Sequence, residues 1–178
     1  MTAKNNQHRA PLYKDRAFHE NKWQMLEGDQ SPVDVDRPIL TFAEAIRLLE
    51  LRANLPQCFG VSVEPGDDVE ALAPYLDGIA LIAISFPAFS DGRGFSSARL
   101  LKERYGYKGE IRAVGHFILD QMPFLERCGV DSFLITSDKV RAGLERGEWP
   151  EVTNYYQPTA HEGDAPIASR TWLRQRRS

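Results

Sequence analysis

Short apolar runs alternate along most of this chain with segments in which apolar residues recur at helical spacing. The first such pair is the β-like run at residues 39–41 followed by Phe42–Asn54, where Thr41 is a good N-cap and Glu44 occupies the capping-box position. The longest apolar run, Ile79–Phe86, is typical of a strand that is buried on both faces of a parallel sheet. The pattern therefore predicts parallel strands connected by helices.

Further strands and helices follow in alternation, with short connections between them. The other strands are predicted at Cys58–Val63, Ile111–Val114 and Asp131–Thr136. The other helices are predicted at Val69–Leu76, Ser96–Tyr105, Phe117–Cys128 and Asp138–Gly147. Repeated β–α units of this kind predict an α/β fold with a mainly parallel sheet, flanked by helices and joined by right-handed crossovers. Two closures are compatible with the pattern: an open doubly wound sheet, which the chain length favours, or a partial, compact barrel-like variant, since the units are too few for an eightfold barrel.

The chain is organised as one domain with distinct ends. Residues 1–36 form a leader with a possible small N-terminal β hairpin, whose two strands we predict on either side of the turn His19-Glu-Asn21. Residues 37–148 are the α/β core. Residues 149–178 are predicted to be irregular, because three prolines interrupt any regular element there.

Composition supports a soluble globular protein. The chain has 178 residues, of which 42% are hydrophobic and 26% charged, with a formal net charge of −3. This charge provides no general attraction to nucleic acid or to an anionic membrane, and the arginine-rich C-terminal end is too short to predict nucleic-acid binding. No apolar run is long enough to cross a bilayer, and the N-terminus lacks the apolar centre of a signal peptide, so we expect a cytoplasmic protein.

Cofactor motifs are absent from the sequence. The two cysteines, Cys58 and Cys128, are too few and too far apart for a protein-only iron–sulfur cluster or a four-cysteine zinc site, and the histidines lack ligand spacing, so no metal site is expected. There is no glycine-rich dinucleotide motif, phosphate-loop lysine motif or Gly-x-Ser-x-Gly motif. The identity of any cofactor stays unknown at this point.

The candidate chemistry lies in the loop after Phe86, because parallel β–α arrays bind ligands at the carboxyl ends of their strands. We predict that Arg93 and Arg99 hold a small oxyanion, that the two glycines permit close backbone approach or a positive φ, and that Ser96 caps the next helix. The candidate ligand-binding residues are Ser90, Gly92, Gly94, Ser96 and Arg99. In the alternative interpretation the loop is an ordinary turn and Arg99 pairs with Glu103 on a solvated helix face.

A histidine at the end of the next strand extends this candidate site. His116 follows Gly115 at the carboxyl end of its strand, where a histidine can donate or accept a proton near neutral pH. The candidate catalytic residues are Asp91, Arg93 and His116. A hydrogen-bonded structural histidine is the alternative.

One stretch of the chain carries a family resemblance. The sequence Ser85-Phe-Pro-Ala-Phe-Ser-Asp-Gly-Arg-Gly-Phe-Ser96 and its continuation to Gly115, with Leu119–Phe133, resembles the bacterial domain-of-unknown-function family 934. The similarity is strong over residues 79–135, although an acidic residue is common in the family at the position of His116. Members of this family are described as oxidoreductases involved in sulfite reduction.

The resemblance implies a role in sulfur metabolism. It points to an accessory protein of assimilatory sulfate and sulfite reduction, on the route to cysteine biosynthesis, that acts with the sulfite reductase hemoprotein subunit in electron or substrate delivery. Whether the chain is itself an oxidoreductase stays open. The alternative is a small-oxyanion-binding enzyme or a cofactor-free protein-interaction module that uses the Asp91–Ser96 loop.

Overall fold

The computed structural model describes residues 10–150 apart from Glu27, Asp29 and Phe89. In this range the chain has an α/β fold with an eight-stranded, mostly parallel sheet. The first nine residues of the predicted leader and the predicted irregular tail beyond Pro150 lie outside the described residues.

The described elements follow the predicted alternation. The strands are β1 (Leu12–Lys14), β2 (Ala17–His19), β3 (Gln24–Met25), β4 (Pro38–Thr41), β5 (Gly60–Val63), β6 (Leu81–Phe86), β7 (Glu110–Gly115) and β8 (Ser132–Leu134). The α-helices are α1 (Phe42–Glu50), α2 (Arg93–Arg99), α3 (Met122–Arg127) and α4 (Asp138–Glu145). Segments of 3₁₀ helix cover Pro32–Asp34, Val69–Gly78 and Leu119–Gln121, and a π-helical segment at Leu100–Arg104 continues α2.

The sheet is curled, and the connection between its two outermost strands shows why. The strand order is β2-β1-β8-β7-β6-β5-β4-β3, so β2 and β3 lie at opposite edges. Eight strands laid flat would separate these edges by about 34 Å. β2 ends at His19 and β3 begins at Gln24, and a chain of that length spans at most about 19 Å. The two edges are therefore drawn together, and the sheet forms a curled half-barrel.

The helices cover the outer face of this half-barrel. Strands β4 to β8 stand in sequential order, and right-handed crossovers between strands in that order pass over a single face of the sheet. On this face Ile82 and Ile111 of the strands belong to one buried cluster with Leu101 and Leu125 of the helical layer. A doubly wound sheet needs a reversal of strand order that is not found among the described strands, so the prediction of an open doubly wound sheet was wrong. The barrel-like alternative agrees with the structure.

The N-terminal hairpin is confirmed, but its turn lies earlier than predicted. β1 and β2 pair antiparallel with Lys14 opposite Ala17, so the turn consists of Asp15 and Arg16 and not of residues 19–21. Both turn residues have positive φ, 51° and 61°. A two-residue turn with two left-handed residues matches the twist of a hairpin. The prediction failed because no glycine marks this turn in the sequence.

The helix after β6 also begins earlier than predicted. It starts at Arg93, so Ser96 lies inside α2 and is not its N-cap, a position that Gly92 occupies. The two glycines suggested a longer loop. Gly94 is instead a buried helical residue, where an added Cβ would lie 2.6 Å from the ring of Phe86. Its lack of a side chain lets the helix approach the strand closely, which offsets the low helix propensity of glycine.

A buried arginine lies on the inner face of the curled sheet, next to a cluster of Trp23, Ile39 and Leu81. Arg112 of β7 is 2% exposed, and its guanidinium donates hydrogen bonds to Glu110 at 2.7 Å and to Asn21 at 2.8 Å. Ser132 of β8 donates to the same Glu110 oxygen at 2.6 Å. Asn21 belongs to the segment between β2 and β3, so this network joins the connecting segment to the middle of the sheet. None of the buried side-chain nitrogen and oxygen atoms in the described part of the chain lacks a hydrogen-bond partner.

We expect Ile82→Asp to unfold the protein. Ile82 is fully buried at the centre of the sheet, between Val61 and Ile111, where a carboxylate finds no counterion. The cost of several kcal/mol is comparable to the whole stability of a domain of this size. Circular dichroism of the purified variant tests this, with the exposed Val33→Asp as the matched control. A cooperative unfolding transition for Ile82→Asp like that of the wild type would contradict the sheet assignment.

Glu110 should make the stability of the fold sensitive to acid. Burial raises the pKa of this carboxyl, but Arg112, Ser132 and Lys14 together outweigh that effect and hold it below its ordinary value of 4.5. A lowered pKa in the folded state stabilises the protein above the unfolded-state pKa, and the stabilisation is lost as the pH falls through the folded-state pKa. Glu110→Gln should therefore lower the free energy of unfolding by about 3 kcal/mol at pH 7.

Urea unfolding of Glu110→Gln and of wild type between pH 7 and pH 3 measures this effect. The difference between the two proteins should narrow as the pH falls below about 4.5, where unfolded wild type takes up a proton at Glu110, and it should vanish below the lower pKa of Glu110 in the folded state. A difference that stays constant over the whole range would show that the charge of Glu110 does not support the fold.

Candidate functional site

Three strands of the half-barrel end side by side at the predicted site. Ile84 of β6 lies opposite Val63, the last residue of β5, and Phe86 lies opposite Gly115, the last residue of β7. The loop that follows β6 runs from Pro87 to Gly92 before α2 begins. The candidate residues thus stand at the carboxyl edge of the sheet, where β–α proteins of this type place their ligand sites.

Asp91 and Arg93 in this loop bind each other. The Arg93 guanidinium donates to both Asp91 oxygens, at 3.0 and 2.7 Å, and the Arg93 backbone N–H donates to Asp91 Oδ1 at 3.2 Å. The hydrogen bonds from the Arg93 side chain hold the pKa of Asp91 below its ordinary value, and the same contact raises the pKa of Arg93. The pair closes the loop as a local turn, and both charges are already neutralised by each other.

Arg99 does not join Arg93 at a common point. The two residues are six apart in α2, which places them about 9 Å along the axis and about 120° around it. Arg99 instead donates a hydrogen bond to Glu103 at 2.8 Å, as the alternative interpretation of the sequence has it. Two arginines that face different directions, each with its own carboxylate, are not arranged to grip one small oxyanion.

Neither Gly92 nor Gly94 has the positive φ that the sequence allowed, and Ser96 does not cap α2. Gly92 has a φ of −84°, which any residue can adopt, and Gly94 is needed for packing against Phe86. Ser90 and Ser96 are both exposed. The glycine at this edge that does require its conformation is Gly115, where φ is +110° and an added Cβ would lie 2.5 Å from the carbonyl oxygen of Phe86.

His116 lies beside the start of the loop. Its backbone N–H donates to the carbonyl oxygen of Phe86 at 2.6 Å, and its side chain is exposed. Within the described part of the chain no hydrogen bond or ion pair orients the His116 ring. A general base is normally held in place by a partner on its second nitrogen, so the structure does not assemble His116, Asp91 and Arg93 into a catalytic group.

An aromatic surface beside the loop was missed in the sequence. Phe124 of α3 is 52% exposed, and its ring stacks on Phe95 of α2 at a centroid distance of 5.1 Å. Phe95 in turn packs edge-to-face on the buried Phe86 at 5.5 Å. We call Phe95 and Phe124 the aromatic surface. The exposure of Phe124 could have been inferred from its position two residues after the buried Met122, which places it about 160° around the helix from that residue.

Metal and membrane sites are not found among the described residues. No three histidine, cysteine, aspartate or glutamate side chains in this range lie close enough together to hold a metal ion. Burial raises the pKa of the Cys128 thiol, which disfavours the reactive thiolate. Within residues 10–150, apart from the three undescribed positions, no helix is long and apolar enough to cross a membrane.

The sequence is similar to a known bacterial family. A family model described as a bacterial protein of unknown function (DUF934) matches residues 60–167. This range contains β5 to β8, the Asp91–Arg93 turn and the aromatic surface. No curated protein matches the sequence. Because the match covers more than half of the chain, this protein belongs to the family of bacterial proteins of unknown function DUF934.

Proposed function

We propose that this protein is a cytoplasmic accessory protein of assimilatory sulfite reduction, and that it acts by docking on the sulfite reductase hemoprotein subunit through the aromatic surface. The sulfur role comes from what the family resemblance implies. The proposal that the protein acts by docking is based on the aromatic surface at the carboxyl edge of the half-barrel. The observation that carries this part of the proposal is the exposed Phe124 ring, which stacks on Phe95 beside the Asp91–Arg93 turn.

An exposed aromatic pair of this kind supports protein docking. Phenylalanine is enriched at the centres of protein interfaces, and burying a ring that is half exposed in the free protein releases water from apolar surface. Phe95 rests on the buried Phe86, so the surface is supported from the core and loses little side-chain freedom on binding. Pre-organised anchors of this type commonly contribute much of the affinity of an interface.

The surroundings of the aromatic surface also suit a protein partner. Ile118, which precedes α3, is a further exposed apolar side chain. The adjacent Asp91–Arg93 turn offers a polar rim with its charges internally paired, so docking leaves no isolated charge at the interface. A small-oxyanion enzyme is the weaker proposal, because Arg93 and Arg99 each hold a carboxylate and diverge.

Phe124→Asp should weaken binding to the sulfite reductase hemoprotein subunit of the same organism at least tenfold. The substitution places a charge where the partner buries an aromatic ring, at a position exposed enough to leave the fold intact. Isothermal titration calorimetry of the purified proteins measures the affinity. Leu51→Asp is the matched control, because Leu51 is an apolar side chain with 66% exposure that follows α1, outside the aromatic surface.

The same variants can be compared in cells that lack the gene. Phe124→Asp should fail to restore growth on sulfate or sulfite, Leu51→Asp should restore it, and both strains should grow on cysteine. Wild-type affinity together with full growth for Phe124→Asp would rule out docking through this surface. If wild type itself shows no binding and the gene is dispensable on sulfite, the sulfur role is wrong as well.

The Asp91–Arg93 turn should be needed for function but not for folding. The Arg93 side chain is exposed, and the Asp91 side chain, which is 16% exposed, bonds to it, so replacing both with alanine should leave the melting temperature close to that of wild type. The loop next to the aromatic surface then loses its turn, and growth on sulfite should be impaired. The variant with the reversed pair, Asp91→Arg together with Arg93→Asp, keeps one positive and one negative charge in the loop and is therefore the control for the loss of charge. Full growth of the double alanine variant would reduce this loop to a passive connection.

A further inference from the structure

The outer edge of β2 is open among the described residues. β2 stands at one end of the strand order and pairs with β1 on its inner side. Lys14 and Ala17 flank the two-residue turn and lie opposite each other, so they exchange hydrogen bonds. Bonded and non-bonded pairs alternate along antiparallel strands, so the next pair, Tyr13 and Phe18, is not bonded. The backbone N–H and C=O of Phe18 therefore point away from β1, and none of the described residues bonds to them.

The side chain of Phe18 adds an exposed apolar surface to this edge. Phe18 is 37% exposed, and its ring packs edge-to-face on the buried Tyr13 at a centroid distance of 5.1 Å. An edge strand commonly carries a lysine or a proline that blocks further pairing. β2 contains neither, so nothing in the strand itself prevents another extended segment from pairing with it.

The described chain ends close to this edge. The ring of Trp149 stacks on Tyr13 at 6.1 Å, and the guanidinium of Arg16, in the hairpin turn, lies 3.6 Å from the centroid of the same ring. A further strand outside β2 would lie about 10 Å from β1, which is two strand spacings. About three extended residues after Trp149 cover that distance. The sequence from residue 152 onward can therefore reach the outer edge of β2.

The sequence at residues 152–156 suits an edge of this kind. It is Val-Thr-Asn-Tyr-Tyr, and its β-branched and aromatic residues favour extended backbone. Prolines at positions 150 and 158 stand on either side of it. The family match continues to residue 167, so this segment is part of the sequence that the family model covers.

Tethering favours this segment over other occupants of the edge. β2 has three residues, and only Phe18 offers outward backbone groups, so pairing with a separate molecule gains little free energy. A segment attached to the same chain acts at an effective concentration of about 1 mM. At that concentration even a short pairing is populated, whereas a second copy of the chain would have to reach the same concentration in solution.

We propose that residues 152–156 bind along the outer edge of β2, that they hydrogen-bond to the backbone of Phe18, and that a tyrosine covers the Phe18 ring. Tyr155 and Tyr156 are neighbours in sequence, so in an extended segment they lie on opposite faces, and one of them lies on the face of Phe18. The pairing satisfies an open backbone donor and acceptor and removes an exposed ring from water. This inference goes beyond the proposed docking function and does not depend on it.

Residue-resolved amide hydrogen exchange of the full-length protein tests the pairing. Replacing both tyrosines, Tyr155→Asp with Tyr156→Asp, should speed exchange of the Phe18 amide at least tenfold. The two charges weaken the extended segment and its apolar contact, which returns the Phe18 N–H to water. Trp172→Asp with Leu173→Asp is the matched control, because it places two charges on apolar residues outside the segment. Exchange of the Phe18 amide in this control should equal that in wild type.

The amide of Ile82, in the buried strand β6, reports whether the fold is intact and should exchange equally slowly in all three proteins. Equal exchange of the Phe18 amide in wild type and the tyrosine variant, whether fast or slow, would overturn the proposal. Protection of Phe18 in wild type that is lost on dilution would overturn it as well, because the edge would then be covered by a second copy of the chain.

Discussion

The segment between β2 and β3 is the constraint on which the rest of the structure depends. It joins the two outermost strands of an eight-stranded sheet with four residues, 20–23, so the sheet must curl until its edges come within reach of each other. Curling gives the sheet an inner face that none of the helices in the described part of the chain covers. This face is filled by the apolar side chains of Trp23, Ile39 and Leu81 and by Arg112 with its partners, one of which, Asn21, belongs to the joining segment itself. The same segment thus imposes the curl and helps to close the interior that the curl creates.

The outer face of the half-barrel holds a row of packed aromatic rings that begins at the aromatic surface. From the carboxyl edge towards the amino edge, the rings in contact are Phe124, Phe95, Phe86, Phe117, Phe133, Trp149 and Tyr13. The first of these is the exposed anchor of the aromatic surface, and Phe133 and Tyr13 are buried. The row explains why the aromatic surface has a rigid apolar floor, since it is the exposed end of one continuous core.

Charge has a mostly local role on this molecule. Asp91 and Arg93 in the loop after β6 pair with each other, and Arg99 and Arg47 likewise pair with glutamates on their own helices. Exposed pairs of this kind contribute little to stability, because water already screens and solvates both partners. The buried Glu110–Arg112 pair is different, since removing one member leaves the other charged in a dry interior.

The sequence by itself determined the alternation of strands and helices, the buried strand at Leu81–Phe86, the Thr41 cap of α1 and the family of the chain. These features depend on residues a few positions apart, which local patterns report directly. Only the tertiary structure decided the strand order and curl, the packing role of Gly94, the divergence of Arg93 from Arg99 and the exposure of Phe124. Each of these depends on which distant segment lies next to a residue, because a local pattern records that a side chain is apolar or charged but not what it meets when the chain folds.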